Sequence, residues 1–392
     1  MNKKSNKIIS VLFLLITFIF GIGTIKNCSV NTEGLNRRND LKTNINIIES
    51  SIQENFIAKN HWININGFFH KLTGKTIVNG VDGTDVNKLN NGQIIYNMPY
   101  INDNSISNIS NNIKEFNDYL KMRNIDFVYT QLPSKVDEYE DVIPVGANIH
   151  ANDNANRLIS KLNNNNISVL DIRKNFHEEG LDYKNLFYNT DQHWKPDAAL
   201  HAAGLIGAYL KNNYGFKISL EKYYNLKNYN VKTYKDWFLG SIGKRVGTLY
   251  AGVDDFDIIT PKFHTSYSFY ADTLGGKDYR KGNFENVMIK KERIENKDYF
   301  NINTYTSYIG GDYKLNIIDN NNADNNKKIL LLRDSFSCTM APYLSLSCKQ
   351  LTTIDIRYYK GNLIDYIDKN KPDIVLLAYN ANFYEKEFEF GF

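Results

Sequence analysis

Hydrophobic positions along this chain change period several times, and each change marks a boundary between elements. From Asn108 to Arg123, the residues Ile109, Ile113, Phe116, Tyr119 and Leu120 recur at helical spacing. The chain then runs directly into Ile125 to Gln131, a short apolar strand stopped by Leu132-Pro133. The same rhythm repeats, with a helix expected over Ala155 to Leu162 and a strand over Ile167 to Ile172. Pro196 opens and Gly215 closes a further helix, with Ala199, Ala202, Ala203, Ile206 and Leu210 at helical spacing. Lys328 to Leu332 is a continuous apolar run of the kind found in strands buried on both faces. A helix over Phe336 to Leu344, a strand over Leu351 to Ile356, a helix over Leu363 to Ile367 and a strand over Asp373 to Ala378 follow. This β-α-β-α-β order predicts an α/β fold with a mostly parallel sheet.

Two stretches depart from the rhythm. A basic segment, Met1 to Lys7, precedes an uncharged apolar run from Ile8 to Ile25, the pattern of a secretory signal or anchor. No small-x-small cleavage site follows, so residues 1–28 are expected to be an uncleaved single-pass anchor, with the remainder extracytoplasmic. Cys28 lacks the small preceding residues that lipid attachment usually requires. Residues 29–60 are polar, with Ile45, Ile48, Ile52 and Phe56 suggesting a short helix in a stalk. The body is expected over 61–392, beginning with short strand-like pieces punctuated by Gly67, Gly74, Gly80 and Gly83. From about 215 to 326 the sequence turns irregular, tyrosine-rich and glycine-punctuated, which reads as a β-rich insertion.

Composition narrows the function classes. A chain of 392 residues can bury a large core. Its formal net charge of +4 is scattered, without a Lys/Arg stripe, which excludes nucleic acid as a partner. The 27 tyrosines and 22 phenylalanines suit ordinary core and β-structure more often than sugar-stacking surfaces. Cys338 and Cys348 lie ten residues apart and read as two buried thiols or one bridge. No His-x-x-x-His spacing occurs among the seven histidines, so no metal and no cofactor are expected.

The candidate chemistry begins at Asn189-Thr190-Asp191-Gln192-His193-Trp194. Read as extended backbone, residues two apart point the same way, so the Asp191 carboxylate would fix one tautomer of the His193 imidazole. The loop runs straight into the Pro196 helix, which limits its wandering. The nucleophile candidate is Ser335, at a strand-to-helix turn where unpaired helix N–H groups would stabilise an oxyanion. The competing reading is that Asp334 or Ser335 caps the helix. Ser134 and Lys135 follow a strand's carboxyl end, where ligands sit in α/β sheets, although a solvated loop lysine is the commoner outcome. The glycine-bounded Trp237 to Gly247 loop carries Lys244 and Arg245, suited to a polar substrate or simply an exposed hairpin.

Together, Thr190-Asp191-Gln192-His193-Trp194 and the downstream apolar strand ending in Asp334-Ser335-Phe336 resemble the SGNH-hydrolase-like proteins of the alginate O-acetylation type, AlgJ and AlgX. The likeness is greatest to their Gram-positive DHHW relatives and covers the chain from about residue 60. Gln192 stands in place of the first histidine of that name-giving motif. The Asp-x-His block precedes the serine, as in the circularly permuted order of that family. The resemblance implies a flavodoxin-like sheet with helices on both faces, and a triad of Asp191, His193 and Ser335. It also implies an active-site arginine at Arg357 with Tyr358 beside it, from Asp355-Ile356-Arg357-Tyr358-Tyr359, and a shared Gly240 to Gly247 loop with Val253-Asp254-Asp255-Phe256. The implied activity is transfer of acetyl through an acyl-serine to hydroxyls of an exported polysaccharide. A membrane-bound O-acyltransferase partner would deliver the acetyl group. The same triad could instead serve an acetyl esterase, and a non-catalytic polysaccharide-binding or scaffold protein of an export complex is the rival from another class.

Overall fold

The computed structural model describes residues 3–27, 40–273, 275–383 and 385–391. Cys28 and the first part of the expected stalk lie outside them. The helix Lys3–Asn27 includes a 21-residue segment, Lys7–Asn27, long and apolar enough to cross a membrane. A second helix, Leu41–Asn55, is capped by the Asp40 side chain accepting from the Thr43 N–H.

Among the described residues, thirteen strands follow in three sheets. β1 (Ile77–Asn79), β2 (Asp85–Lys88) and β3 (Ile94–Tyr96) form a small antiparallel sheet. β6 (Tyr229–Phe238) and β7 (Asp254–Pro261) form a two-stranded ribbon. The central sheet contains β4 (Asp126–Gln131), β5 (Val169–Asp171), β8 (Tyr267–Thr273), β9 (Gly276–Gly282), β10 (Leu315–Asn320), β11 (Lys328–Arg333), β12 (Gln350–Ile354) and β13 (Ile374–Tyr379). Its spatial order is β5-β4-β13-β11-β12-β10-β8-β9. The first five strands in that order run parallel, and β10, β8 and β9 extend the edge antiparallel. The stretch from 215 to 326 thus contributes both the separate ribbon and three strands continuous with the central sheet.

Strand alternation explains the unbroken apolar runs. Ile329 and Leu331 of β11, with Ile374 and Leu376 of β13, enter one core, while Leu330, Leu332, Val375 and Leu377 enter the other. The first core is covered by the helices Pro196–Tyr214 and Ser337–Leu344, which pack against each other. The second is covered by Asp103–Lys121 and Leu363–Asn370. The α/β class, the mainly parallel sheet and the two helical layers are those expected. The helix from Pro196 ends at Gly215 in the left-handed conformation, as its sequence predicts. Because this helix and Ser337–Leu344 lie side by side on one face, the loops that lead into them, carrying His193 and Ser335, meet above the sheet.

One expectation fails at the entry to the body. From His61 to Leu72 the chain is a helix, Lys59–Leu72, and the expected strand pieces begin only beyond Gly74, where β1 and β2 flank Gly80 and Gly83. Ile63 and Gly67 lie one turn apart on its buried face. A Cβ at Gly67 would come within 2.0 Å of the Val246 carbonyl oxygen, so the glycine serves close helix packing rather than a strand break. Both Cys338 and Cys348 are buried free thiols.

The two-sided burial of β11 sets a stability expectation. Leu331→Ala should lower unfolding free energy by about 2–5 kcal/mol, through lost apolar transfer and the cavity left behind. Urea unfolding read by circular dichroism measures this, and a loss under about 1 kcal/mol would contradict the packing described.

Candidate active site

The Asp191 loop is clamped at its base and along its tip. At the base, Phe187 and Trp194 pair antiparallel, and the Lys195 N–H donates to the Leu186 carbonyl at 2.8 Å. At the tip, the buried Asp254 carboxylate accepts from the N–H groups of Asn189 and Thr190 at 2.7 and 2.8 Å, and from the Thr190 hydroxyl at 2.6 Å. Lys135 Nζ donates to the Asn189 carbonyl at 3.3 Å and to the Ile94 carbonyl of β3 at 2.6 Å. The loop is therefore held by both a carboxylate and a lysine side chain.

The Gly240 segment closes over the same loop. A Cβ at Gly240 would lie 2.2 Å from the Asp191 Cβ, so only glycine permits this approach. The Gly240 N–H donates to Thr190 Oγ1 at 2.8 Å, the Gly243 N–H to the Thr190 carbonyl at 2.8 Å, and the Ser241 N–H to Asp191 Oδ2 at 2.6 Å. By its sequence this segment suits either a polar substrate or an exposed hairpin, and its backbone donors serve neither. In the structure they satisfy Asp191 and Thr190, because a buried carboxylate requires hydrogen-bond donors.

Asp191 and His193 do face each other, but through a turn rather than through extended backbone. Asp191 Oδ1 accepts from the His193 N–H at 3.1 Å and also meets His193 Nδ1. The carboxylate thus holds both the backbone and the ring of the residue two ahead. His193 Nε2 lies 2.8 Å from Ser335 Oγ. Burial would raise the Asp191 carboxyl, but the His193 charge and the hydrogen bonds from His193 and Ser241 hold it well below the ordinary carboxylate range. The Tyr305 ring stacks on His193 with centroids 4.0 Å apart, and its hydroxyl lies 3.2 Å from the carbonyl oxygens of Ser335 and Phe336. Trp194 Nε1 donates to the Phe336 carbonyl at 3.0 Å, pinning the two loops together.

Ser335 is the single residue from Ile329 to Cys348 that is not buried. Its side chain does not cap the helix Ser337–Leu344, which has no side-chain cap. Asp334 organises the turn instead, accepting from the Phe336 N–H at 2.9 Å and from the Asn380 N–H beyond β13 at 2.7 Å. Burial pushes the Asp334 carboxyl up to about 6, against the lowering by the Asn380 and Phe336 N–H groups and by Arg357. The helix donors expected for an oxyanion are already engaged: Ser337 N–H bonds the Asp334 carbonyl and Cys338 N–H the Ser335 carbonyl. The N–H of Ser335 itself has no hydrogen-bond partner among the described residues.

The other predicted site residues divide. Lys135 neither lines an open pocket nor projects into solvent, being 1% exposed beneath the Asn189 carbonyl. Ser134 is buried with it. Arg245 is engaged by Asp82 and by the Ser241 carbonyl, and its guanidinium lies 5.1 Å from the Tyr96 ring centroid. Arg357 forks onto the Asp355 carboxylate at 2.9 and 2.6 Å, and lies 3.8 Å from Asp312 and 5.4 Å from the half-buried Tyr358 ring. Asp312 also accepts from the fully buried Arg333 at 2.7 Å. Among the described residues no group of three or more His, Cys, Asp or Glu is placed to hold a metal ion. Sequence reasoning gave no role to Asp254, although its segment was singled out, and passed over Tyr305, one tyrosine in a tyrosine-rich stretch.

The mainly parallel sheet with helices on both faces is the SGNH-hydrolase-like fold, and a serine, an imidazole and a carboxylate stand in line at the carboxyl end of its parallel strands. Residues 97–243 match the family model described as SGNH hydrolase-like domain, acetyltransferase AlgX. The match includes Asp191, His193 and the Gly240 segment, and stops short of Ser335. Two solved structures of Bacillus cereus PatB1 share the fold, with TM-scores of 0.64 and 0.63 at 21% and 23% identity. They cover 78% and 76% of this chain and 97% of theirs. A DHHW family protein from Eubacterium siraeum aligns with a TM-score of 0.55 at 18% identity, covering 80% of this chain and 98% of its own. No curated protein sequence matches the chain.

The burial of Lys135 carries a pH signature. Burial lowers its ammonium to about 7, with Asp254 and Asp191 opposing the shift. The folded chain gives up this proton near pH 7 and the unfolded chain near about 10.4, so the unfolded state binds more protons between them. Stability therefore gains from this group as pH rises from 7 towards 10, by up to about 1.4 kcal/mol per unit. Urea midpoints of wild type and Lys135→Met at pH 7 and 9 test this. Wild type should gain on the variant at pH 9, and an equal response of the two proteins would refute it.

Proposed function

We propose that this protein is an extracytoplasmic O-acetyltransferase that passes acetyl, through an ester on Ser335, to hydroxyls of an exported polysaccharide. The observation that carries the reading is the unbroken line from Asp191 through His193 to a partly exposed Ser335 Oγ, 2.8 Å from the imidazole. His193 Nε2 takes the hydroxyl proton as Oγ bonds to the acetyl carbonyl carbon, and the proton then passes to the leaving group of the donor. In the second half, His193 takes the proton of an acceptor hydroxyl, whose oxygen bonds to the same carbon. The Ser335 ester bond breaks, and Oγ recovers the proton. Asp191 stabilises the imidazolium in both halves, and the Ser335 N–H, unpartnered among the described residues, would serve the oxyanion. The apolar helix Lys7–Asn27 supports anchorage in a membrane, where a membrane-bound acyltransferase would supply acetyl. Run to water instead of a sugar, the same steps give an acetyl esterase.

Ser335→Ala should lower turnover of 4-nitrophenyl acetate by at least about a thousandfold, and undiminished turnover would remove the triad assignment. The solved PatB1 structure with a sulfonyl adduct suggests a second assay. Phenylmethylsulfonyl fluoride should sulfonylate Ser335 in the full-length chain, read by peptide mass spectrometry. His193→Ala should suppress that labelling, and labelling that persists in this variant would argue that Ser335 is not activated by the imidazole.

A further inference from the structure

The helix Lys59–Leu72 has one face packed on the body and a second that is left open. Its inner face is fixed by Gly67, which approaches the Val246 carbonyl, and by Asn64, whose side-chain oxygen accepts from the Thr248 N–H at 2.7 Å. On the outer side Trp62, Ile65, Phe68, Phe69 and Leu72 are between 42 and 69% exposed. At about 100° per residue these side chains fall within one arc of about 120°. His61 is the one polar residue inside that arc, and Lys59 and Lys71 border it on either side. Single exposed apolar residues are ordinary, but a contiguous set of this size marks an interaction surface.

The position of this face beside the N-terminal helix points to its occupant. Phe20, within the apolar span Lys7–Asn27, meets the Trp62 ring edge-on with centroids 5.2 Å apart and stacks on Phe56 at 6.3 Å. Thr24 of the same span accepts from the Ile57 N–H at 3.2 Å. The apolar arc therefore begins against a side chain of the span itself. At about 1.5 Å per residue the 21-residue span matches a hydrocarbon core of about 30 Å, so Asn27 marks its outer edge and Phe20 lies about 10 Å inside. From Trp62 to Leu72 the helix advances about 15 Å. Even pointing straight outward, its far end would stand only about 5 Å beyond that edge, at the level of the headgroups. A Trp- and Phe-bearing arc bordered by lysines is the composition of a helix that lies in that layer.

We infer that the helix Lys59–Leu72 is a second membrane contact, docking its Trp62, Phe69 and Leu72 face into the lipid headgroup layer beside the anchor. The inference rests on the membrane anchorage proposed above. A single tether leaves the body free to turn, and a second contact removes that freedom. The opposite face of the helix holds Val246 and Thr248, which follow directly on the Gly240 segment closed over Asp191. Docking thus sets the orientation of the catalytic loop to the membrane surface.

The test uses the full-length chain with Trp62→Phe as background, in vesicles of phosphatidylcholine and phosphatidylglycerol with or without bromine on the phosphatidylcholine acyl chains. One reporter tryptophan is added by Phe69→Trp on the outer arc, by Lys71→Trp on the far side of the helix, or by Phe13→Trp in the anchor. Its emission is the difference from the background protein. The Phe69→Trp reporter should lose roughly half of its emission to brominated lipid, since a helix in this layer buries its apolar face about 5–10 Å deep, and the Lys71→Trp reporter almost none. Ile65→Trp, a second reporter on the arc, should match Phe69→Trp. Both arc reporters unquenched while Phe13→Trp is quenched would overturn the docking, whether the face is then open to aqueous acrylamide or covered by a second copy or another protein. Equal quenching of Phe69→Trp and Lys71→Trp would overturn it as well, because contact with a bilayer is one-sided. An unquenched Phe13→Trp reporter would instead defeat the anchorage on which the inference rests.

Discussion

The structure around the candidate site depends on keeping the Asp191 carboxylate ionised while it is buried. A buried charge is tolerated only when it is paired and hydrogen-bonded, and here three donor groups come from two places. His193 gives its backbone and ring N–H groups, and the Gly240 segment gives the Ser241 N–H. The loop that carries Asp191 is in turn held by Asp254 and Lys135. Loss of a donor from this set would leave a buried charge uncompensated, which explains why a glycine must sit against Asp191 and why a lysine is fully buried nearby.

A second charge network lies under the serine. Arg333 is buried at the end of β11, where Asp312 and Asp355 neutralise it, and Arg357 shares both carboxylates. Asp334 bridges the ends of β11 and β13 through the N–H groups of Phe336 and Asn380. This fixes the turn on which Ser335 emerges, so a strand buried from Ile329 to Arg333 can lead into one partly exposed hydroxyl. Rigid support of this kind lets a serine and an imidazole on separate loops keep hydrogen-bond distance.

Much of the fold was legible because it rests on local rules. The apolar run of β11 specified burial on both faces, and Pro196 and Gly215 bounded their helix. The spacing of Asp191 and His193 also pointed to their pairing, although by an extended geometry that the structure replaces with a turn. Where tertiary contact decided the outcome, the reading failed. Gly67 looked like punctuation, yet it marks the contact of a helix with Val246. Lys135 looked like a pocket or surface lysine, and only the meeting of β3 with the Asn189 loop shows why it is buried. The Gly240 segment read as a substrate loop or an exposed hairpin, and only its contact with Asp191 shows why its glycine is needed. Tyr305 had no local signal, since its stacking on His193 joins parts of the chain more than 100 residues apart.

The account centres on a covalent acetyl ester at Ser335, and that species can be sought directly. The full-length chain, mixed with an excess of 4-nitrophenyl acetate and quenched in acid during the first turnovers, would be digested and read by peptide mass spectrometry. The account predicts one acetyl group on the peptide containing Ser335, carried by the serine oxygen and absent from His193→Ala. Acetyl on another residue, or continued nitrophenol release with Ser335 unmodified throughout, would contradict it.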